Sequence, residues 1–170
     1  MNIRGDIAKR SGFAIFRASE AGECAMETLP LSPVAAEGGG AAMAAGAGDG
    51  HELKLLFSMP GMSLARAWFK SGFPLPRHSH NVDCLYYIIG GSLRMGTEEL
   101  GVGDGFFVGG EVPYAYTAGP EGVEVLEFRA ADAFNIHILA NNPAFWEKAL
   151  ETVRERQPKW VEEQRPSEKA

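Results

Sequence analysis

The chain has 170 residues, of which 45% are hydrophobic and 22% are charged, and its formal net charge is −6. This length suits one compact domain. The acidic balance, without a dense Lys/Arg cluster, argues against nucleic acid or an anionic membrane as a partner. No apolar run approaches the roughly 20 residues of a membrane-spanning helix. The N-terminus lacks the apolar region of a signal peptide, and two cysteines make no disulfide framework, so we expect a cytoplasmic protein.

Residues 1–51 are predicted to form an N-terminal extension with short strands. Within it, residues 35–50 read AAEGGGAAMAAGAGDG. Such small side chains bury little surface, and glycines cost entropy to order, so the pattern predicts a flexible loop. A short helix through residues 41–45 is one alternative, and a lid over a functional site is another.

Residues 52–140 have the character of a β domain. Short β-forming segments follow one another, separated by Gly and Pro turns, with no helical pattern between them: ELKLLFS, SLARAWFK, CLYYII, FFV, AYT and VEVLEFR. Many short strands at close spacing are typical of a sandwich or a barrel. The pair Gly90-Gly91 predicts a hairpin turn at the end of CLYYII.

The C-terminal part changes to a helical pattern over residues 141–158. Asn142 can cap the helix, Pro143 suits its first turn, and Pro158 is expected to end it. An apolar stripe lies on one face and comprises Phe145, Trp146, Ala149, Leu150 and Val153. The stripe is expected either to pack on the chain's own β domain or to contact a second copy. Residues 159–170 are predicted to be a solvated tail.

Two of the four histidines, His78 and His80, are separated by one residue in a segment predicted to be a strand. Side chains alternate across a strand, so both imidazoles are expected on the same face. A metal ion needs convergent ligands, and neutral imidazoles suit Fe, Ni, Cu, Zn and, with oxygen ligands, Mn. The alternative is a pair of surface histidines, or of core histidines with satisfied hydrogen bonds.

The stretch around these histidines resembles the first motif of the cupin superfamily, which is Gly, five residues, His, one, His, three or four, Glu, six, Gly. Gly72, His78, His80 and Gly91 fall on that spacing, and Cys84 stands in the Glu position. Family members usually bind one divalent metal through the two histidines, that Glu and a histidine of a second motif.

The second cupin motif is matched less completely by GDGFFVGGEVPYAYTA. Gly103 fits it, but Tyr114 stands where the family has its third His; Gly109, Glu111 and Ala118 also depart from the motif. The resemblance covers roughly residues 52–129. It implies an all-β fold, the cupin double-stranded β-helix or jelly-roll barrel, here followed by a C-terminal α-helix.

The resemblance also implies a site. By position, His78 and His80 are the expected ligands of a divalent metal (Fe, Mn, Ni or Zn), and Cys84 and Tyr114 are further candidates. For Cys84 the alternative is a small buried hydrophobic side chain. A pocket for a small, partly apolar ligand is predicted at the barrel mouth, lined by Phe73, Tyr86, Phe106 and Tyr116.

Three functions remain open at this point. The first is a metal-dependent cupin enzyme of oxygenase, lyase or isomerase type, which the two retained histidines favour. The second is a metal-independent cupin that binds or senses a small molecule, which the missing Glu and His favour. The third is a structural module that associates through its helix. A homodimer is expected.

Overall fold

The computed structural model describes residues 12–169, so the first part of the predicted extension, residues 1–11, lies outside the described residues. The helices are α1 (Pro33–Ala44) and α2 (Pro143–Trp160). The strands are β1 (Gly22–Glu23), β2 (Glu27–Thr28), β3 (His51–Met59), β4 (Met62–Phe69), β5 (His78–Ser79), β6 (Cys84–Met95), β7 (Glu98–Gly101), β8 (Gly105–Val108), β9 (Thr117–Arg129) and β10 (Asn135–Ile138). No helix in the described range is long and apolar enough to cross a membrane.

The strands form two sheets. The larger has the order β1-β3-β4-β9-β6-β7, with β8 also paired to β6, and the smaller has the order β2-β10-β5. All pairs are antiparallel except β2 with β10. Along β4, Ser63, Ala65, Ala67 and Phe69 are buried and alternate with less buried residues. The prediction of a predominantly β protein with strands between residues 52 and 140 is therefore confirmed.

The closed barrel implied by the cupin resemblance is not formed, because the two sheets do not join into one ladder. The histidine strand β5 is only two residues long and hydrogen-bonds to β10. On its other side it is joined to the chain after β8 by a single isolated bridge, between His78 and Tyr114. Such short contacts leave the strands of one sheet without continuous partners in the other.

Gly90 and Gly91 do not make the predicted hairpin turn; both lie inside the long strand β6. The register of β6 against β9 shifts on either side of the pair, as at a β-bulge. Gly91 has φ of 69°, and a Cβ there would lie 2.0 Å from the carbonyl oxygen of Gly122. These glycines therefore allow a close approach of two backbones rather than a reversal of the chain.

The segment predicted as a flexible loop, residues 35–50, is helical over most of its length. Helix α1 starts at Pro33, and Ser32 caps it by accepting a hydrogen bond from the Ala35 amide at 3.1 Å. A 3-10 turn, Ala47–Gly50, follows it. The glycines fit because α1 packs on α2: a Cβ on Gly38 would lie 2.2 Å from Cγ of Trp146. Tertiary packing thus stabilises a helix that its own propensity does not.

We expect Gly38→Ala to lower the free energy of unfolding by about 1–3 kcal/mol, because its methyl group must displace the Trp146 ring in a filled interface. Gly40→Ala is the matched control, since a Cβ at Gly40 meets no atom within 4 Å. It should raise stability by about 0.5–1 kcal/mol through helix propensity. Urea unfolding of both variants measures the difference, and equal effects at the two positions would contradict the packing of α1 on α2.

Helix α2 runs to Trp160, past the predicted end at Pro158. The indole of Trp160 is fully buried and donates a hydrogen bond to the carbonyl oxygen of Ser71 at 2.9 Å. Lys70 Nζ binds the carbonyl oxygen of Trp160, which satisfies one acceptor at the helix end. Burial of this tryptophan accounts for the extra turn. Of the apolar stripe, Ala149 and Val153 are buried within the chain and Phe145, Trp146 and Leu150 are half-buried.

The predicted solvated tail is in part docked. A 3-10 turn, Pro166–Glu168, lies against β6 and β9. The Ser167 amide donates to Oε2 of Glu124 at 2.9 Å, and Arg165 Nε lies 3.9 Å from Oε1 of the same carboxylate. Glu124 is fully buried, and burial of an unpaired carboxylate is unfavourable. The tail therefore stabilises it by supplying a hydrogen bond and a nearby positive charge.

Candidate functional site

A cavity of about 460 Å³ lies between the helices and the buried faces of the strands. Most of its wall is apolar, including Leu53, Phe69 and Phe73 from the β domain and Ala149 and Val153 from α2. One part of the wall is polar and comprises His78, His80, Tyr114, Glu127 and Arg129. We call these five residues the polar end. The volume lies in the range of small-molecule pockets.

His78 and His80 both line this cavity, as strand alternation predicts. Both side chains are buried, and their ring centroids lie 5.1 Å apart. Strand β5 is held by pairing with β10, and the backbone of His78 exchanges two hydrogen bonds with that of Tyr114. The imidazole of His78 also packs on the Tyr114 ring, with 4.4 Å between the centroids.

Backbone carbonyls orient both imidazoles. Nδ1 of His78 lies 2.8 Å from the carbonyl oxygen of Pro76, and Nδ1 of His80 lies 2.6 Å from that of Asn135. A carbonyl only accepts, which assigns the proton of each neutral ring to Nδ1 and a lone pair to Nε2. Burial lowers the pKa of His78, and burial together with the charge of Arg129 lowers the pKa of His80 to about 4. Both histidines are neutral at physiological pH.

The aromatic residues predicted for the pocket fall into two layers. Phe73 and Tyr116 line the cavity, whereas Tyr86 and Phe106 stack on each other behind it, with 4.4 Å between ring centroids and 8° between ring planes. The hydroxyl groups of Tyr86 and Tyr114 are in hydrogen-bond contact. Burial raises the pKa of both tyrosines, so Tyr114 presents a neutral phenol at the polar end rather than a phenolate.

The structure does not gather a three-ligand metal group around the histidines. Cys84 is 2% exposed, and burial raises its pKa to about 11, so it is a thiol. Within residues 12–169, no group of three or more His, Cys, Asp and Glu side chains could hold a metal ion. The donor set therefore fits a complete cupin metal centre poorly. The roles of Cys84 and Tyr114 as metal ligands stay predictions.

Two residues that the sequence analysis does not single out, Glu127 and Arg129, complete the polar end. They lie on β9, where Val123, Val125, Glu127 and Arg129 alternate on one buried face. Alternation within VEVLEFR is the signal that could have found them. Their proximity to the histidines follows only from the tertiary structure, because both lie far from His78 and His80 along the chain, on a strand that starts only at Thr117.

Glu127 and Arg129 form a buried ion pair, with 2.6 Å between Oε2 and Nη1. Apart from this mutual contact the two atoms make no hydrogen bond within the described residues, and Nε of Arg129 has no hydrogen-bond partner there. The guanidinium carbon lies 4.1 Å from the centroid of the Phe134 ring, a cation–π contact. The nearby carboxylate keeps the pKa of Arg129 above its ordinary value despite burial, so the guanidinium stays charged.

No protein-family model and no curated protein matches the sequence. The chain is similar to the crystal structure of an RmlC-like cupin from Shewanella frigidimarina, with 21% identity and a TM-score of 0.44 over 50% of this chain and 78% of that chain. It is similar to salicylate 1,2-dioxygenase from Pseudaminobacter salicylatoxidans, with 18% identity and a TM-score of 0.46 over 52% of this chain and 30% of that chain. It is similar to the coconut allergen cocosin, with 21% identity and a TM-score of 0.48 over 54% of this chain and 29% of that chain.

Similarities of this extent transfer neither an activity nor a set of ligands. A dioxygenase and an allergen are among the three similar structures, and this chain spans less than a third of each of those two proteins. The sequence predicts a resemblance to cupins, and an RmlC-like cupin is among the solved structures to which this chain is similar over half of its length.

Proposed function

We propose that this chain is a cytoplasmic cupin that binds a small, largely apolar molecule in its cavity without requiring a metal ion. The observation that carries the proposal is the cavity itself, whose largely apolar wall is interrupted mainly by the polar end. Pockets of this kind bury the apolar body of a ligand and orient it through a few polar groups. In this role Nε2 of His78 and His80 and the Tyr114 hydroxyl add hydrogen-bonding groups to the polar end.

The donor set supports the metal-independent form of this proposal. Among the described residues, no group of three or more His, Cys, Asp and Glu side chains could hold a metal ion. In the described part of the chain, the one carboxylate that lines the cavity, Glu127, is already paired with the guanidinium of Arg129. A divalent cation at Nε2 of His78 and His80 would have to compete with Arg129 for that carboxylate, which is unfavourable in a poorly solvated site.

The proposal predicts that the protein binds a neutral apolar fluorophore, N-phenylnaphthylamine, equally well with and without the chelator EDTA. Ala149→Leu, which fills part of the cavity wall, should weaken binding about tenfold or more, an order of magnitude that corresponds to about 1.4 kcal/mol. Ala130→Leu is the matched control, since Ala130 is exposed and does not line the cavity. Equal affinities of these two variants would place the fluorophore elsewhere and remove the proposal.

A second candidate is a metal-dependent cupin enzyme of oxygenase, lyase or isomerase type, with Fe, Mn, Ni or Zn on His78 and His80. One observation favours it: each imidazole donates its Nδ1–H to a backbone carbonyl, as metal-ligating histidines usually do. Cys84, Tyr114 or water would have to supply further ligands. Two imidazoles alone bind a divalent ion weakly.

Elemental analysis of protein purified without a histidine tag separates the two candidates. The metal-independent proposal predicts far less than one equivalent of any transition metal. If about one equivalent co-purifies and both His78→Ala and His80→Ala lose it, the second candidate replaces the first. His137→Ala is the control, because His137 lies on the neighbouring strand β10 and does not line the cavity.

We further propose that the chain forms a homodimer through the outer face of its larger sheet. The stripe of α2 is largely covered within the chain, with Ala149 and Val153 buried and Phe145, Trp146 and Leu150 half-buried. The outer sheet face instead presents Phe107, Leu85 and Phe128, which are 64%, 51% and 40% exposed. Leu85 is paired directly with both of the others, so they form one apolar row across β8, β6 and β9.

The dimer predicts a molecular mass by light scattering of about twice 18.3 kDa at micromolar concentration. Phe107→Glu should shift the protein to a monomer, because the partner would have to bury an unpaired carboxylate. Val102→Glu is the control, since Val102 is 68% exposed but lies in the turn after β7, outside the apolar row. A monomeric parent protein would remove this proposal.

A further inference from the structure

The polar end carries equal and opposite fixed charges. Among the described residues that line the cavity, Glu127 is the only carboxylate and Arg129 is the only Lys or Arg. Both are nearly inaccessible to bulk water, with 5% and 1% of their side chains exposed. The imidazoles of His78 and His80 add no charge at pH 8, above the ordinary pKa of histidine. The polar end is therefore charged locally but neutral as a whole.

The hydrogen-bonding capacity of this ion pair is not used up within the protein. In the described part of the chain, Nε of Arg129 has no hydrogen-bond partner, and Oε2 of Glu127 and Nη1 of Arg129 contact each other but make no further hydrogen bond. A guanidinium has five N–H donors, and a carboxylate can accept about four hydrogen bonds. Buried groups of this kind are normally satisfied. A ligand head group beside the pair could supply both an acceptor for Arg129 and a donor for Glu127.

Charge balance restricts the head group further. An anionic head group would be attracted by Arg129. It would also be repelled by the carboxylate of Glu127, because Oε2 of Glu127 lies only 2.6 Å from Nη1 of Arg129. A cationic head group would be attracted by Glu127 and repelled by Arg129. Either would leave one uncompensated charge in a poorly solvated cavity, which is strongly unfavourable. A neutral group leaves the existing ion pair intact.

We propose that the cavity selects a neutral amphipathic molecule whose head group both donates and accepts hydrogen bonds, such as an alcohol, a phenol or an amide. The head group donates to Glu127 and accepts from Arg129, and the apolar part lies along Leu53, Phe69 and Val153. This inference rests on the proposed binding function and specifies the class of ligand.

Displacement of N-phenylnaphthylamine at pH 8, with EDTA present, tests the ligand class on the unaltered protein. The competitors are octanol, octanoate and octylammonium, which share one apolar chain and differ in head-group charge. Octanol is expected to bind about tenfold more tightly than either ion, or better. If octanoate or octylammonium competes as well as octanol, the inference is wrong while the binding function stands. If the fluorophore itself does not bind in the cavity, both are wrong.

Charge variants give an independent test. Glu127→Gln makes the polar end positive and should turn the preference toward octanoate, whereas Arg129→Gln makes it negative and should turn it toward octylammonium. The double variant, Glu127→Gln with Arg129→Gln, is neutral again and should retain the preference for octanol. Circular dichroism establishes that each variant is folded. If the single variants do not fold, the affinities of the double variant for the three competitors decide. The inference is overturned if the double variant, whose polar end is neutral, binds octanoate or octylammonium more tightly than octanol.

Discussion

Replacing Trp160 by alanine is expected to lower the free energy of unfolding by about 3–5 kcal/mol, the usual cost of removing a large buried aromatic side chain. The indole is fully buried, packs on Phe73 with 5.6 Å between ring centroids, and donates to the carbonyl oxygen of Ser71. Its loss would open a void where the end of α2 meets the β domain. Chemical denaturation followed by circular dichroism measures the change.

Trp160→Phe and Val161→Ala are the controls for this prediction. The phenylalanine keeps most of the buried apolar surface but leaves the Ser71 carbonyl without its donor, so we expect a smaller loss, about 1–3 kcal/mol. Val161 is 62% exposed directly after the helix, and its truncation should change stability by less than about 0.5 kcal/mol. A small effect of Trp160→Ala would mean that α2 ends at Pro158 after all.

The second large effect is expected at the buried ion pair. Glu127→Leu removes the counter-charge of Arg129 and should destabilise the protein by about 3–5 kcal/mol, because a guanidinium would remain buried and unpaired. Arg129→Met should be similarly costly for the opposite reason. The double variant, Glu127→Leu with Arg129→Met, should recover most of the loss, since apolar pairs of similar volume often replace buried ion pairs without net cost.

A double-mutant cycle from urea unfolding measures the coupling between Glu127 and Arg129. The exposed pair of Lys169 and Glu121, 2.8 Å apart, is the matched control. Glu121→Leu should cost less than about 1 kcal/mol, because exposed ion pairs contribute little. If the single changes at Glu127 and Arg129 were additive, the two side chains would not act as a pair, and the charge-balanced polar end would lose its basis.

The local pattern of the sequence determined most of the β domain. Alternation and turn residues predict the strands between residues 52 and 140, because a half-buried strand has a two-residue period regardless of its partners. The same period places His78 and His80 on one face. The capped apolar stripe predicts α2, whose sides are set by the 3.6-residue repeat of the helix. The strands, the shared face of the two histidines and the apolar stripe of α2 all depend on residues close together in the sequence, so their patterns can be read from the sequence alone.

Helix α1 and the end of α2 depended on contacts between distant segments. Gly38 is a poor helix former, but Trp146, more than one hundred residues later, needs the space that a side chain at Gly38 would occupy. Pro158 predicts a helix end, but burial of Trp160 extends the helix. In both helices, the stabilisation from packing between distant segments exceeds the local conformational preference of the glycine or proline.

Part of the candidate site could likewise be predicted from the sequence, and part of it depends on the tertiary structure. Spacing alone brings the two histidines together, since His78 lies in β5 and His80 directly follows that strand. The ion pair of Glu127 and Arg129 reaches the same cavity only because β9 lies in the larger sheet and β5 in the smaller, with both facing the cavity. The alternation of residues along the chain therefore indicates which side chains share a strand face. Which faces meet depends on tertiary packing, and among the described residues this packing places the imidazoles beside a buried ion pair rather than within a three-ligand metal group.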